Sequence, residues 1–582
     1  MHRTGTLSRP FLCSLLPDKA LILAPRLSFE VKNTDLDWFY ELKVRVCGNG
    51  SKMIQGVHFD ESYSPSCHGS SFCQAISLGA SLLMIFFFID AENAFQTNVI
   101  EDPLLRHYVS LPSLYLDWLR TYWPDHPILQ YDPKELVMQT LRNLQGTKDA
   151  GNRWYNLLAK TFKKLGIKPN STCRGIWHWE YDGITSIVVL ATDDILFGTT
   201  DKKAFDRLIS EFARYFTYTT RSGSELSFLN FRIIQSEHGI SIDQSAHIRQ
   251  TILNVYFPDP AVTVPFESSP FPLSSEFERK LFGDPHLTDD EIKEFNKKHR
   301  GGYSTWSGAL LHIAEKSRPD LSYVAMRLTG YNVNPKALCY KVLHQAMCYL
   351  YHHPHVPIMY TRNHNSDLDM YVKNGTAEII PSSSNPSSDS NGPIKDDVAY
   401  ADGDFGRDLL DRRSVTSTVH MYNGTVHDWY CGKQSITADC TNGSEVRALH
   451  TCIRKVVVHR RFMTSAGFPI GPPTCAYEDN SATISQVLKD RLTPNIKHLD
   501  MKILWMHQQK SIRIFYPFTC PTSRQVADFN SKPTGGSSLQ QSFLYIVGAR
   551  FYPPSSSKHY LLLELDKYNI GVHRGTFRKD IN

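Results

Sequence analysis

Along residues 38–46 the apolar positions follow the two-residue period of a strand, and Gly48-Asn49-Gly50 behind them is a turn signal. Residues 1–35 carry no clean period and predict no element. Residues 74–83 have helical spacing, and residues 84–89 form a short apolar run. Its Phe86-Phe87-Phe88-Ile89 favours a buried strand. Residues 152–165 place apolar side chains at helical spacing. A hairpin follows, with a strand over 186–190, a tight turn at Asp193-Asp194 and a second strand over 195–197. Residues 201–215 return to a helical period, with Thr200 as the expected N-cap.

Residues 379–394 are rich in Ser, Pro, Asn and Gly and cannot bury much apolar surface, which predicts a linker or a surface insertion. Beyond them, 398–404, 416–422 and 425–430 read as successive strands, 445–462 as a helix and 475–478 as a further strand. Strands, helix and strand in that order predict a self-contained α/β unit. No internal repeat and no G-x-x-x-x-G-K-[ST] phosphate loop is present.

A length of 582 residues sets a prior of three or four domains, and 41% hydrophobic with 21% charged residues is ordinary globular composition. The net charge of +5 permits a nucleic-acid partner without arguing for one. Twelve cysteines with no C-x2-C pair suggest neither a zinc ribbon nor a disulfide framework. Reduced thiols in a cytosolic or nuclear protein are expected instead. Cys67, His68 and Cys73 lack the second pair a metal cluster needs. The longest apolar run, 82–89, is far short of the roughly 20 residues that span a bilayer. Pro17 and Asp18 cut short the apolar start at 11–16, so neither a membrane anchor nor secretion is expected.

Charge placement is more informative than charge balance. Asp90 closes an apolar strand, and Asp193-Asp194 sit at the turn of an apolar hairpin. Carboxylates at buried strand ends are costly unless something compensates them. Mg2+ does so with oxygen ligands from one or two carboxylates plus substrate phosphates, and a pair of ions can clamp an in-line phosphoryl displacement. Asp-Asp is also a common turn dipeptide, so the pair alone decides nothing. In the back half Asp402 ends a strand before Gly403, Glu445 opens a helix and Asp479 follows a strand. Acids at two strand ends and a helix start could converge on one sheet edge, although a helix dipole alone also favours Glu445 there.

The order and company of these motifs resemble the Pol polyprotein of copia-type LTR retrotransposons. KVRVCGNGSKMIQGVHFDESYSP (43–65) is similar to the fingers segment of that family, FFIDAENAF (87–95) to its first palm motif and LRNLQGTKDAGNRWY (141–155) to the segment shaping the nucleotide pocket. IVVLATDDILFG (187–198) resembles the hairpin usually written Tyr-Val-Asp-Asp, and residues 303–335 the segment joining polymerase to nuclease. YADGDFGRDLLDRRSVTS (400–417), WYCGKQSITADCTNGSEVRAL (429–449), YEDNSATI (477–484), NIKHLDMKILWMHQQ (495–509) and RQVADFNSKP (524–533) resemble its RNase H domain.

The resemblance implies a multidomain α+β and α/β fold: reverse-transcriptase fingers and palm, a connection segment and an RNase H-like domain. The implied boundaries are fingers and palm at 36–260, thumb or connection at 261–378, a linker or insertion at 379–397 and the RNase H-like domain at 398–535. Residues 1–35 and 536–582 stay unassigned. Asp90, Asp193 and Asp194 would be the polymerase acids, and Asp402, Glu445 and Asp479 the nuclease acids. Asp528 best fits the fourth nuclease ligand, with Asp500 next and His498 as a neighbour. Each site would take two Mg2+ or Mn2+ ions. Phe95 would exclude a ribose 2′-OH, and Lys43 and Arg45 would hold the incoming triphosphate. The implied activity is RNA-directed DNA synthesis with RNase H cleavage. The partners are an RNA template, a DNA primer, the RNA–DNA hybrid and dNTPs, with a homodimer allowed and no membrane. The implied location is a cytoplasmic virus-like particle, the nucleus or both, on the pathway to DNA integration.

Ala191-Thr192 stands where the family usually has Tyr-Val, Asp149 where it often has Gln and Gly151 where it often has Pro. These departures keep a second reading open, a relic that holds the fold and at most binds nucleic acid. No capsid, protease, integrase or zinc-knuckle pattern is seen, so a fragment, a processed product or a truncated copy is expected.

Overall fold

The computed structural model describes residues 5–17, 20–33, 40–67, 69–236, 239–272, 277–361, 397–406, 408, 411–489, 499–522 and 525–532. The expected linker (379–394) and the 536–582 tail lie outside them.

The Phe86–Ile89 run is apolar throughout because both faces of its strand are covered. Strand Ile85–Ala91 sits inside a six-stranded antiparallel sheet, between Tyr218–Arg221 and Asp194–Thr199, with Ile184–Ala191, Ile176–Tyr181 and Lys168–Pro169 beyond. Phe86 and Phe88 join Ile187, Val189 and Leu196 under helix Gly69–Ser81. Phe87 and Ile89 join Val188, Ile195 and Phe197 on the other face, under helices Ala150–Lys164 and Lys202–Phe212. Each such side chain contributes about 1.5–3 kcal/mol when fully buried. Phe86 fits only because its neighbours are glycines: a Cβ on Gly79 or Gly198 would lie 2.5 Å from its ring.

Several expected boundaries shift. Helix Gly69–Ser81 begins five residues earlier than its period predicts. The N-cap of Lys202–Phe212 is Asp201, whose carboxylate accepts the Lys203 N–H at 2.9 Å, and not Thr200; Asp is the stronger capping residue. The unassigned N-terminus supplies Phe11–Leu12 and Ile22–Leu23 to a four-stranded sheet with Leu136–Gln139 and Tyr108–Ser110. Two-residue strands are too short to show a period. Strands Pro25–Asn33 and Tyr40–Gly48 form a separate antiparallel ribbon. Its base is tied to the next segment by Gly48 N–H donating to the Gln145 carbonyl at 2.8 Å.

A second antiparallel sheet (Glu225–Phe228, Phe231–Gln235, Gly239–Asp243, Ile358–Thr361) brackets the helices Tyr303–Lys316, Ser322–Thr329 and Ala337–His352. Among them lies a fully buried ion pair, with Arg318 donating twice to Asp320 at 2.9 and 2.6 Å. Tyr349 Oη donates to Asp320 at 2.9 Å and Arg318 to the His353 carbonyl at 2.6 Å. These extra bonds let two charges stay in a dry core.

The back half is a five-stranded mixed sheet ordered Thr425–Lys433, Val415–Tyr422, Asp397–Asp404, Thr474–Glu478, Phe515–Thr519, the last two joining in parallel. Helix Thr441–Ser465 crosses one face. The expectation of a self-contained unit is corrected here. Strand Thr425–Lys433 packs on Gly69–Ser81, and Phe72, Met421, Val426 and Trp429 share one core. Trp429 Nε1 donates to the Ala314 carbonyl at 2.7 Å and Asn170 Nδ2 to the Phe462 carbonyl at 3.0 Å. The reason is the apolar Val426 and Trp429, which an isolated sheet would leave wet. No helix among the described residues is long and apolar enough to cross a membrane.

Candidate active sites

Asp90 is the penultimate residue of Ile85–Ala91 and lies directly across the ladder from Asp194. Asp194 begins its strand and pairs with Ala191 across the hairpin, so the turn is Thr192-Asp193; the expectation that Asp194 lies in the turn is corrected. Thr192 has φ +58°, a strained position for a β-branched residue. Trp154 Nε1 holds it there by donating to its carbonyl at 2.7 Å. All three aspartates are half-buried. Burial first, then the charges of Asp193 and Asp90, push Asp194 up to about 6, with Arg221 opposing. The trio is therefore one electrostatic cluster, whose mutual repulsion a divalent cation would relieve. It does not bring an oxygen from each residue within 4.8 Å.

Phe95 sits five residues after Asp90 in the short helix Ala94–Thr97, half-buried against the core that holds Trp154 and Trp177. Lys43 and Arg45 lie on strand Tyr40–Gly48, opposite Glu30 and Ser28. Arg45 is half-buried, and the Lys43 side chain lies outside the described residues. Asp149 is buried between Arg153 at 2.6 Å and His107 at 3.7 Å. Burial pushes its carboxyl up, but His107 and Arg153 outweigh that and hold it below the ordinary value. The residue thus anchors the start of helix Ala150–Lys164.

In the back half, Asp402, Glu445 and Asp479 each bring a carboxylate oxygen within 4.8 Å of the others. Asp402 lies inside strand Asp397–Asp404, two residues before its end. Glu445 does not open its helix: Cys440 caps it and Thr441–Ser444 form the first turn, which explains their polarity. The close approach of helix to strand depends on Gly403, where a Cβ would lie 2.7 Å from Glu445 Oε2 and 2.9 Å from the Ser444 backbone. Asp402 Oδ2 and Glu445 Oε2 are buried without a hydrogen-bond partner, as a site built for cations would leave them. Burial and then Asp528 raise the Asp402 carboxyl, with Lys532 opposing. Burial, then Asp402 and Asp479, raise Glu445.

Two residues here were not anticipated. Glu478 is fully buried, its Oε2 has no partner, and burial and Glu445 raise it well above the ordinary value. The adjacent acids of YED were the available signal. Lys532 Nζ lies 2.8 Å from Asp528 and 3.8 Å from Asp402, an internal cation at the rim. Asp528 heads the short helix Asp528–Ser531, and its charge helps raise the Asp402 carboxyl. Asp500 heads helix Asp500–Ser511, but its side chain and all of His498 lie outside the described residues.

The Asp402, Glu445 and Glu478 carboxyls have folded values raised above the unfolded range near 4, so the protons they keep stabilise the fold, and that stabilisation is lost as pH rises through the raised values. Unfolded histidines are still about half-charged at pH 6.5 and oppose this trend until about pH 7.5, and most unfolded thiols stay protonated up to about pH 8, so the carboxyls are read between those two values. In EDTA the unfolding midpoint is expected to fall across that window, and Mg2+ to flatten the slope. Glu478→Gln should lessen it in EDTA. A metal-free midpoint that is flat or rises from about pH 7.5 to 8 contradicts the account.

Residues 14–267 match the family model described as reverse transcriptase (RNA-dependent DNA polymerase). The chain is 18% identical over 493 residues to the retrovirus-related Pol polyprotein from transposon TNT 1-94 of Nicotiana tabacum, covering 84% of this chain and 33% of that protein. It is 20% identical over 541 residues to the Pol polyprotein from transposon RE2 of Arabidopsis thaliana, covering 93% and 33%. Against the putative transposon Ty5-1 protein YCL074W of Saccharomyces cerevisiae it is 22% identical over 297 residues, 51% of this chain and 86% of that one. The chain spans about a third of the length of the two plant polyproteins.

Proposed function

We propose, for a chain whose residues 14–267 are the reverse transcriptase domain of a retrotransposon Pol polyprotein, that it synthesises DNA on an RNA template and degrades the RNA of the resulting hybrid. The observation that carries this reading is the pair of carboxylate clusters, each on adjacent interior strands of a sheet and each with acids raised by burial and by one another.

Asp90, Asp193 and Asp194 would hold the ions of the polymerase site, and Asp402, Glu445, Asp479 and Asp528 those of the nuclease site. Two Mg2+ or Mn2+ ions per site would supply activation of the attacking oxygen and charge neutralisation at the leaving one. Asp90 and Asp194, fixed opposite each other by the ladder, orient the primer end. Lys43 and Arg45 on the ribbon grip the triphosphate of a dNTP, and Asp149 fixes the pocket floor through Arg153. Gly403 keeps Glu445 against Asp402 around the scissile phosphate. Template RNA, DNA primer and hybrid are the partners, in a cytoplasmic particle, the nucleus or both, with a homodimer consistent with this role. A second reading, a relic that binds nucleic acid without turnover, draws on Lys532 beside Asp402 and on the strained Thr192 turn.

Phe95 gives the test of the nucleotide pocket. Phe95→Val removes ring volume five residues from Asp90, where the sugar of the incoming nucleotide would sit. Discrimination against ribonucleotides is expected to fall by at least about tenfold, the lower end of what one pocket contact supplies. Equal exclusion by wild type and variant, at equal DNA synthesis, places the gate elsewhere. DNA synthesis by neither favours the relic.

A further inference from the structure

We propose that Asp397, His427 and His459 form a buried site for a zinc-class divalent cation, separate from both carboxylate clusters. The three come from different elements: the first residue of strand Asp397–Asp404, the strand Thr425–Lys433 and the helix Thr441–Ser465. Each offers a ligand atom, and the three atoms lie within 4.8 Å of one another. Exposures are 8%, 0% and 2%, so bulk water does not reach them.

Both ring nitrogens of His427 and both of His459 are buried without a hydrogen-bond partner. A neutral imidazole has one donor and one acceptor, and leaving either unmade in a dry core is costly. Four orphaned nitrogens beside one carboxylate therefore point to a missing occupant. The surroundings prepare Asp397 for it. Thr474 Oγ1 donates to Asp397 Oδ2, while Oδ1 faces His459 Nε2 at 3.7 Å. Arg460 stands 3.8 Å from Oδ2 but spends its guanidinium on the carbonyls of Pro472 and Ile470 at 2.8 and 2.6 Å. A hydrogen-bonded carboxylate with a free oxygen is the usual supported ligand.

Two imidazoles and one carboxylate suit Zn2+, whereas Mg2+ prefers oxygen ligands throughout. The rings stack with centroids 4.1 Å apart and planes 24° apart, and ion binding requires the two side chains to turn until both ring planes pass through the ion. Five residues along one strand, at about 3.3 Å each, set this site roughly 16 Å from Asp402. It therefore pins the start of the central strand to the helix and the edge strand, while catalysis is proposed at the other end. The competing occupant is ordered water, which would satisfy the nitrogens with no dependence on metal.

The test loads the full chain with Zn2+ in excess Mg2+, removes free metal by gel filtration and counts zinc by mass spectrometry. One equivalent is expected in wild type and in Asp479→Asn, and none in His427→Gln or His459→Gln. Zn2+ should raise the unfolding midpoint of wild type and not of the histidine variants. Co2+ offers a readout on wild type alone, should the variants fail to fold: intense absorption bands of a low-coordinate, nitrogen-ligated ion are expected. No retained zinc, equal zinc in the histidine variants, or only the weak bands of an all-oxygen octahedral ion overturns the proposal and leaves water as the occupant.

Discussion

Asp193→Asn is expected to lower primer extension by more than about 100-fold while hybrid-directed RNA cleavage stays near wild type. The magnitude follows from the loss of a ligand charge, since removing even an outer partner of a metal ligand costs 10–100-fold. Asp193 sits in the two-residue turn, where Asn is tolerated as well as Asp, so the hairpin should survive. Its charge also helps raise Asp194, so the variant should bring the Asp194 carboxyl down. A loss of extension with an unchanged unfolding midpoint is the expected pair of results. Full extension by the variant contradicts the assignment of Asp193 to the polymerase site.

The reciprocal result is expected of Asp479→Asn: hybrid cleavage falls by more than about 100-fold and extension survives. Asp479 shares no ligand with the front cluster, and substitutions at sites well beyond about 10 Å with no shared partners are usually additive. The shared core between helix Gly69–Ser81 and strand Thr425–Lys433 adds a control, because a variant that loosened the back half would also disturb the front. Asp479 is half-buried and follows its strand, so the Asn variant should keep that packing. Loss of both activities in a variant with a wild-type unfolding midpoint contradicts two independent sites.

The parts of these sites legible in the sequence are those set by short-range rules. The hairpin at 186–197, with acids at its turn, followed from alternation and a turn dipeptide, and the structure pairs those strands. The acids Asp402, Glu445 and Asp479 meet; the resemblance groups them, and their expected places near element ends are the local hint. What stayed hidden depends on packing between distant residues. Glu445 was expected to open a helix that starts at Thr441, because a polar first turn carries no apolar period. Glu478 and Lys532 enter the nuclease cluster through sheet order and a late helix, which no local pattern reveals. Asp397, His427 and His459 are separated by 30 and 32 residues and match no short ligand motif.

DNA synthesis and hybrid cleavage by this chain are read together by primer extension on an RNA template, with purified chain, dNTPs and Mg2+, the RNA strand labelled to follow its loss from the hybrid. Template-directed DNA synthesis that EDTA abolishes, accompanied by RNA cleavage in the hybrid, is the predicted result. A cooperatively folded protein that binds the primer–template yet extends nothing with Mg2+ or Mn2+ contradicts it.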